Sequence, residues 1–306
     1  MGKVDCPHFF TDGSGSDLIE HTVEAGVAGI PLTQYILRAW PLASARAVKD
    51  AAKARDIRVN GTKAGADTPV SGGDVLKIYL NDRQLGLYPV EIAYADENLI
   101  AAVKPAGLPV DTDRSEIGAD TLLNRVRAEY PEAQLAHRLD TGTGGIVMLS
   151  RNARTHEAML RAFKEHLLEK RYIAVVRGEP RETVATLNAH LTKNASGSTV
   201  SVSRAAKPGS KPITTRYAVL SRNMAFSVVE AEPVTGRTHQ LRAHFAFEGN
   251  PILGDDKYGD RDFNRKFKKN MPVLWCKSIC FTGAPGLERY NGRTFTAKPQ
   301  GFEDFL

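Results

Sequence analysis

Three cysteines in 306 residues, Cys6, Cys276 and Cys280, are too few and too scattered for a disulfide framework. The pair in WCKSIC has no second pair with which to close a zinc site, so two buried strand cysteines are the expectation. His239 and His244 do not have the i, i+4 spacing of a helical metal pair, and no metal is expected. No apolar run approaches the roughly 20 residues that cross a bilayer. The N-terminus, MGKVDCPHFFTDGSGSD, lacks the continuous apolar stretch of a secretory signal, and Cys6 stands where a myristoylation pattern requires Ser or Thr. A cytoplasmic protein that does not engage membranes is therefore expected. What remains is an ordinary globular composition, 42% hydrophobic and 25% charged, on a chain long enough for one sizeable core and a smaller module. A net charge of +6 and a pI near 9.2 suit a polyanionic partner, or a solvated basic surface.

Residues 1–28 read as an irregular arm or an edge strand without an assignable role. Residues 29–82 form a pattern of their own. PLTQYILRAWP predicts a short helix, with Ile36, Leu37 and Trp40 at helical spacing and Pro41 closing it. ASARAVKDAAKAR is a second helix, IRVNGTKAG a strand entering an Asn-Gly hairpin turn, and SGGDVLKIYL a closing strand. Arg46, Lys49, Lys53, Arg55 and Lys63 cluster here, as a phosphate-backbone clamp or a solvated helix face. RQLGLYPV is a linker, with Pro89 marking a boundary.

Residues 83–306 form the main body. Strands are expected at VEIAYAD, NLIAAVK, GGIVMLS, KRYIAVVRG, TVATLNAHL, KPITTRYAVL, AFSVVEAEPV, LWCKSICFT and RTFTAKP. Helices are expected at DTLLNRVRAEY, at NARTHEAMLRAFKEHLLEK behind an Asn152 N-cap, and at GRTHQLRAHFAFEG, ending on Gly249. This order, with mostly short connections, predicts an α+β fold with a mixed, mainly antiparallel sheet flanked by helices.

LAHRLDTGTGGIVMLS holds the residues most suited to chemistry. Asp140 sits at a glycine-rich turn before a buried strand, two residues after Arg138. A carboxylate there is a candidate nucleophile or base, or simply caps the amides of a tight turn. Leu-Asp-Thr-Gly-Thr has the shape of an aspartic-protease loop, but the chain has no second Asp-Thr-Gly or Asp-Ser-Gly, and such an enzyme needs two carboxylates sharing a proton. GTGG fails as a phosphate loop, because neither a lysine nor a helix start follows it.

A third reading uses more of the chain. HRLD with Thr143, Gly145 and the apolar strand resembles the catalytic motif of pseudouridine synthases of the RluA type. EKRYIAVVRG resembles that family's Lys-x-Tyr strand and TGRTHQLRAHFAFEGNPILGDDKYG its longest signature. KPAGLPV matches its early loop and FTAKPQGFEDF its ending. The resemblance covers about 89–305 in the right order. The run from the first helix through RVNG to GGDVLKI is similar to the small RNA-binding module named after ribosomal protein S-four. The family commonly has Thr-Ser-Gly where this chain has Thr143-Gly144-Gly145, and the lost hydroxyl is expected to loosen the turn while activity survives.

The resemblance implies an RNA uridine isomerase of pseudouridine synthase fold, without cofactor, since the reaction involves neither redox change nor phosphoryl transfer. Its substrate would be structured RNA, ribosomal in preference to transfer RNA, and the enzyme a monomer with no obligate protein partner. The alternative is a non-catalytic RNA-binding protein that keeps the fold. Asp140, Tyr172 and Arg242 would be catalytic: the carboxylate attacks sugar or base or removes a sugar proton, the arginine pairs with it, and the tyrosine stacks on the uracil and assists proton transfer. Arg138 would fill the gap left by the flipped base. Lys104, His137 and Leu241 would join it in binding substrate, with His137 leaning towards a structural part. Arg46, Lys49, Lys53 and Lys63 would hold RNA, and the stretch around Lys207 and Lys211 is either an RNA-gripping loop or a hairpin tip.

Overall fold

The computed structural model describes residues 18–40, 43–80, 90–112, 120–194 and 199–305. Most of the expected N-terminal arm, together with Cys6, Pro41 and linker residues 83–89, lies outside them. The chain divides into two compact units, residues 1–89 with 111–129, and residues 90–110 with 130–306.

In the first unit, strand β1 (Leu18–Thr22) and the short strand β2 (Ile30–Pro31) precede helices α1 (Leu32–Ala39) and α2 (Ala45–Ala54). Strands β3 (Ile57–Val59), β4 (Thr62–Lys63), β5 (Pro69–Val70) and β6 (Val75–Tyr79) follow. The sheet order is β1-β6-β3-β4, so residues 18–22 are the edge strand that the sequence left open. The hairpin forms where Asn60 and Gly61 both take positive φ, which Asn-Gly tolerates and a twisted two-residue turn requires. Ser44 caps α2 by accepting the Ala47 amide, and Val48, Ala51 and Ala52 turn inward onto Leu32, Ile36 and Ile78 in one apolar cluster. Arg46, Lys49 and Lys53 stay exposed at spacings that put them on one helix stripe. Lys63 is exposed on β4. Helix α3 (Leu122–Glu129) groups with this unit.

The second unit is built on strands β7 (Glu91–Ala95), β8 (Leu99–Lys104), β9 (Gln134–Leu135), β10 (Gly144–Ser150), β11 (Leu168–Arg177) and β12 (Val184–Lys193). It continues with β13 (Val200–Ser203), β14 (Lys211–Arg222), β15 (Phe226–Pro233), β16 (Leu274–Phe281) and β17 (Thr294–Thr296). The main order is β13-β12-β14-β15-β11-β16-β10-β8-β7. Every pairing between these strands is antiparallel except β10 with β16, which is parallel at Gly144–Trp275 and Gly145–Cys276. The mixed, mainly antiparallel α+β architecture read from the sequence is the one observed.

Helix α4 (Ala153–Lys164) starts at Asn152, whose side chain accepts the Thr155 amide. Helix α5 (Gln240–Phe247) is shorter than GRTHQLRAHFAFEG suggests, because Gly236 and His239 both sit in the left-handed region and hold 236–239 as a turn. The two-residue strands β2, β5 and β9, the four-residue β13 and helix α6 (Arg261–Lys266) escaped the sequence reading, all too short to show a period. Among the described residues no helix is long and apolar enough to cross a membrane.

Candidate active site

The segment before β10 cannot continue as a strand, because its backbone folds into a turn in which the Thr143 amide donates to the Asp140 carbonyl. Beyond it, the chain must lie flat against β16. An added Cβ at Gly145, where φ is +116°, would stand 2.2 Å from the Cys276 carbonyl oxygen, so only glycine fits. At Gly144 an added Cβ would meet Cε3 and Cζ3 of Trp275 at 2.4 Å. The space that a serine would occupy is filled by a buried indole. This corrects the expectation of a looser turn, since the missing hydroxyl leaves no void.

Lys104, at the end of β8, fixes the same loop from the other side. It is fully buried, and its ammonium donates to the carbonyls of Pro105, Leu108 and Thr141 at 3.0, 2.6 and 2.9 Å. Burial pushes it down to about 7 against the raising influence of nearby Asp140. The sequence placed Lys104 at the substrate. Buried with three donated bonds to main chain, it clamps the loop that carries Asp140.

Asp140 itself keeps 29% of its side chain exposed. Arg242 on α5 donates from Nη1 to its Oδ2 at 3.3 Å. The same guanidinium grips Asp255 through Nε and Nη2 at 2.7 and 2.8 Å and reaches Asp256 Oδ1 at 2.8 Å. Burial alone would favour the neutral arginine, but the Asp255 bonds and Asp140 hold it above its ordinary value. Burial would likewise raise Asp255, yet Arg242 and the Lys257 and Tyr258 amides keep it below the usual carboxylate range. This planar two-bond clamp gives Arg242 one orientation, which leaves Nη1 directed at Asp140. The Arg242 guanidinium also lies over the Tyr258 ring, 5.5 Å from its centroid.

His239 brings a second group to Asp140, its Nε2 being 3.6 Å from Oδ2. Among the described residues no hydrogen bond or ion pair reaches Asp140 Oδ1, so that oxygen is the one open to a substrate.

Tyr172 on β11 is half-buried beside Ala174, Ala231 and Leu241. Burial, the neighbouring Cys276 thiol and Asp140 all push its hydroxyl well above the ordinary phenol value. It is a neutral phenol at any physiological pH, which suits stacking and donation better than service as a base. Cys276 lies buried on β16, its thiol raised to about 12 mainly by burial, and Cys280 is half-buried on the same strand.

The remaining expected residues separate. Arg138 is exposed two residues before Asp140. His137 accepts the Met148 amide on Nε2 at 2.8 Å and stacks on Phe163 at a centroid distance of 4.2 Å. Burial, then Lys170, holds it at about 3. Leu241 is 4% exposed within the apolar cluster beneath Tyr172. His137 and Leu241 are thus both engaged with the scaffold. Lys207 belongs to a turn in which its amide and carbonyl both bond Ser210 Oγ. Asp255, Asp256 and Tyr258 were not singled out from the sequence, and His239 was weighed only as a metal ligand. The adjacent acids in ILGDDKYG were the one available sign that Arg242 has more than one anionic partner.

Comparison with known proteins bears on this arrangement. A family model described as RNA pseudouridylate synthase matches residues 98–247. The chain is similar to ribosomal large subunit pseudouridine synthase C of Rickettsia conorii, with 34% identity over 82% of this chain and 88% of that protein. The protein of the same name from Vibrio vulnificus is 33% identical over 68% of this chain and 70% of its own length. Among solved structures, human RNA pseudouridylate synthase domain containing 4 is alike in fold, with a TM-score of 0.56 and 24% identity over 69% of this chain and 89% of that one.

Proposed function

The chain belongs to the RNA pseudouridine synthase family, and on that premise we propose that Asp140 is its catalytic carboxylate. The enzyme is an isomerase that converts uridine to pseudouridine in RNA. The bond from ribose C1′ to uracil N1 is broken and C1′ is rejoined to C5. The proton on C5 is released and N1 ends with one. The observation that carries the assignment is the asymmetry of Asp140, with Oδ2 held by Arg242 and Oδ1 unengaged by any described residue. A carboxylate fixed through one oxygen presents the other in a set direction.

Tyr172, protonated and facing the same site, supplies an aromatic surface for the extracted uracil. Arg138, exposed beside the carboxylate, takes the position vacated by the flipped base. The relatives named for the large ribosomal subunit support ribosomal over transfer RNA as the substrate. The exposed stripe of Arg46, Lys49 and Lys53, with Lys63, supports a module that grips phosphate without reading sequence. We assign residues 29–82 that part and 83–306 the catalysis, in a chain that works as a monomer.

The test is pseudouridine mapping of total RNA, by carbodiimide adducts and primer-extension stops, from cells with and without the gene. Stops should vanish at defined uridines without it. Wild type should restore them, and Asp140→Asn, which keeps shape but loses charge, should lower turnover by roughly three orders of magnitude or more. An unchanged map, or an Asp140→Asn protein with normal turnover, would refute the assignment and favour a non-catalytic RNA-binding protein.

A further inference from the structure

Behind Asp140 lies a chain of polar groups that the reaction as described does not use. Its outer end is β13, an edge strand whose Val200 amide donates to the Tyr258 hydroxyl at 2.8 Å. The same hydroxyl lies 2.9 Å from His239 Nδ1. His239 Nε2 in turn faces Asp140 Oδ2 at 3.6 Å. The residue is held in place: its backbone is left-handed, with φ at 52°, its side chain is 9% exposed, and its ring meets Tyr258 edge-on at 5.6 Å.

The direction of this chain follows from its fixed end. A main-chain amide can only donate, so the Tyr258 oxygen accepts from Val200. The hydroxyl proton then has one acceptor among the described residues, His239 Nδ1. An imidazole that accepts on Nδ1 carries its own proton on Nε2. We propose that His239 is a positioning residue whose Nε2–H, set by Tyr258 and Val200, is aimed at Asp140 Oδ2 and turns the opposite carboxylate oxygen towards the target uridine.

The proposal rests on the assignment of Asp140 above. At 3.6 Å the N–H acts as an oriented dipole rather than a hydrogen bond, and active-site contacts of this kind shorten when substrate binds. The groups facing His239 are Asp140 from the loop before β10, Arg242 from α5, and Asp255, Lys257 and Tyr258 from the loop after α5. Burial is the largest influence on the imidazole and keeps it towards the neutral form. Neutrality matters because a charged imidazole would carry a proton on both nitrogens and could not accept from Tyr258.

The experiment has two arms. In the first, long-range proton–nitrogen correlation spectra of the protein labelled with nitrogen-15 in histidine report which ring nitrogen of His239 is protonated at pH 7. The expected pattern is the neutral Nε2–H form, giving way to a mixture of tautomers in Tyr258→Phe, which keeps both ring contacts and loses only the hydroxyl. A His239 protonated on Nδ1, or on both nitrogens, would overturn the proposal. Because the parent protein alone gives this answer, the test survives a Tyr258→Phe chain that does not fold.

In the second arm, tritium release is followed from a large-subunit ribosomal RNA transcript tritiated at uracil C5. Tyr258→Phe should lower kcat about tenfold, the loss of one oriented hydrogen bond, with KM within twofold of the parent. An unchanged kcat in a folded Tyr258→Phe protein would overturn the positioning role. Absence of tritium release from the parent would count against the substrate reading alone, leaving the spectra to decide the tautomer.

Discussion

Gly144→Ser writes the hydroxyl of the commoner Thr-Ser-Gly turn back into this chain, and the structure gives the consequence a size. An added Cβ at 144 would lie 2.4 Å from two carbons of the Trp275 ring and 3.3 Å from the Ala106 amide. Carbon atoms rest at about 3.5–4.0 Å, so the ring or the loop must move by about 1 Å. Trp275 is 1% exposed, and its Nε1–H donates to the Ala297 carbonyl at 3.3 Å, so the ring cannot move without disturbing its neighbours. Overpacking of a filled core costs about 1–3 kcal/mol, and a site bounded by backbone on one side belongs in the upper half of that range. The assay is urea unfolding followed by far-UV circular dichroism, which does not depend on Trp275 as a probe. Trp275→Leu is destabilising by itself because it empties a core site, yet in the double variant the serine finds room. The two losses should therefore fall short of additivity by at least about 1 kcal/mol. A Gly144→Ser protein within about 0.5 kcal/mol of the parent, or a strictly additive pair, would refute the reasoning that Gly144 and Trp275 fit as one unit.

Tyr172→Phe keeps the ring and loses a hydroxyl that stays protonated, so it should retain most of the turnover, whereas Tyr172→Ala should lose about tenfold or more through lost stacking. Equal defects in single-turnover tritium release would show that stacking is not what matters. His137 and His244 are held at about 3 and about 4, each chiefly by burial, against about 6.5 in the unfolded chain. Between those values the unfolded state binds protons that the native state does not, so the histidine contribution to stability falls as pH drops and is constant above about 7.5. Each histidine contributes about 2 kcal/mol of loss between pH 7 and 5. His137→Gln keeps an acceptor for Met148 but takes up no proton, and should remove about 2 kcal/mol of the loss seen by urea unfolding between pH 7 and 5. A parent equally stable at pH 7 and 5 would disprove this.

The long strands were legible because their residues carry the pattern of their surroundings. β10 is buried throughout and almost wholly apolar since both faces are covered, and the burial of β12 alternates since one is not. Asp140, Tyr172 and Arg242 were found as pieces of motifs, and the sheet brings them to one place. What the sequence could not carry was the pairing of residues distant along the chain. Arg242 reaches Asp255 across a turn, Tyr258 meets an amide of a strand too short to recognise, and Lys104 donates to three main-chain carbonyls. The Gly144 substitution looked like a loss because Trp275, which occupies the vacated space, stands on a different strand with no local link to it.

The single parallel pairing in the sheet, β10 with β16, has a bearing on how this enzyme comes into being. The loop that presents Asp140 is braced by Trp275 and Cys276 on a strand distant along the chain, and by Arg242, 102 residues after Asp140. Parallel and distant contacts form late, because loop-closure entropy is lost before they return any stabilisation. On a ribosome that releases the chain from its N-terminus, the first unit can collapse around its own core while the second still waits for its last long strand. Catalytic competence thus waits for β16. A chain that stalls or is cut before residue 274 would still carry the basic stripe of α2 without a formed active site.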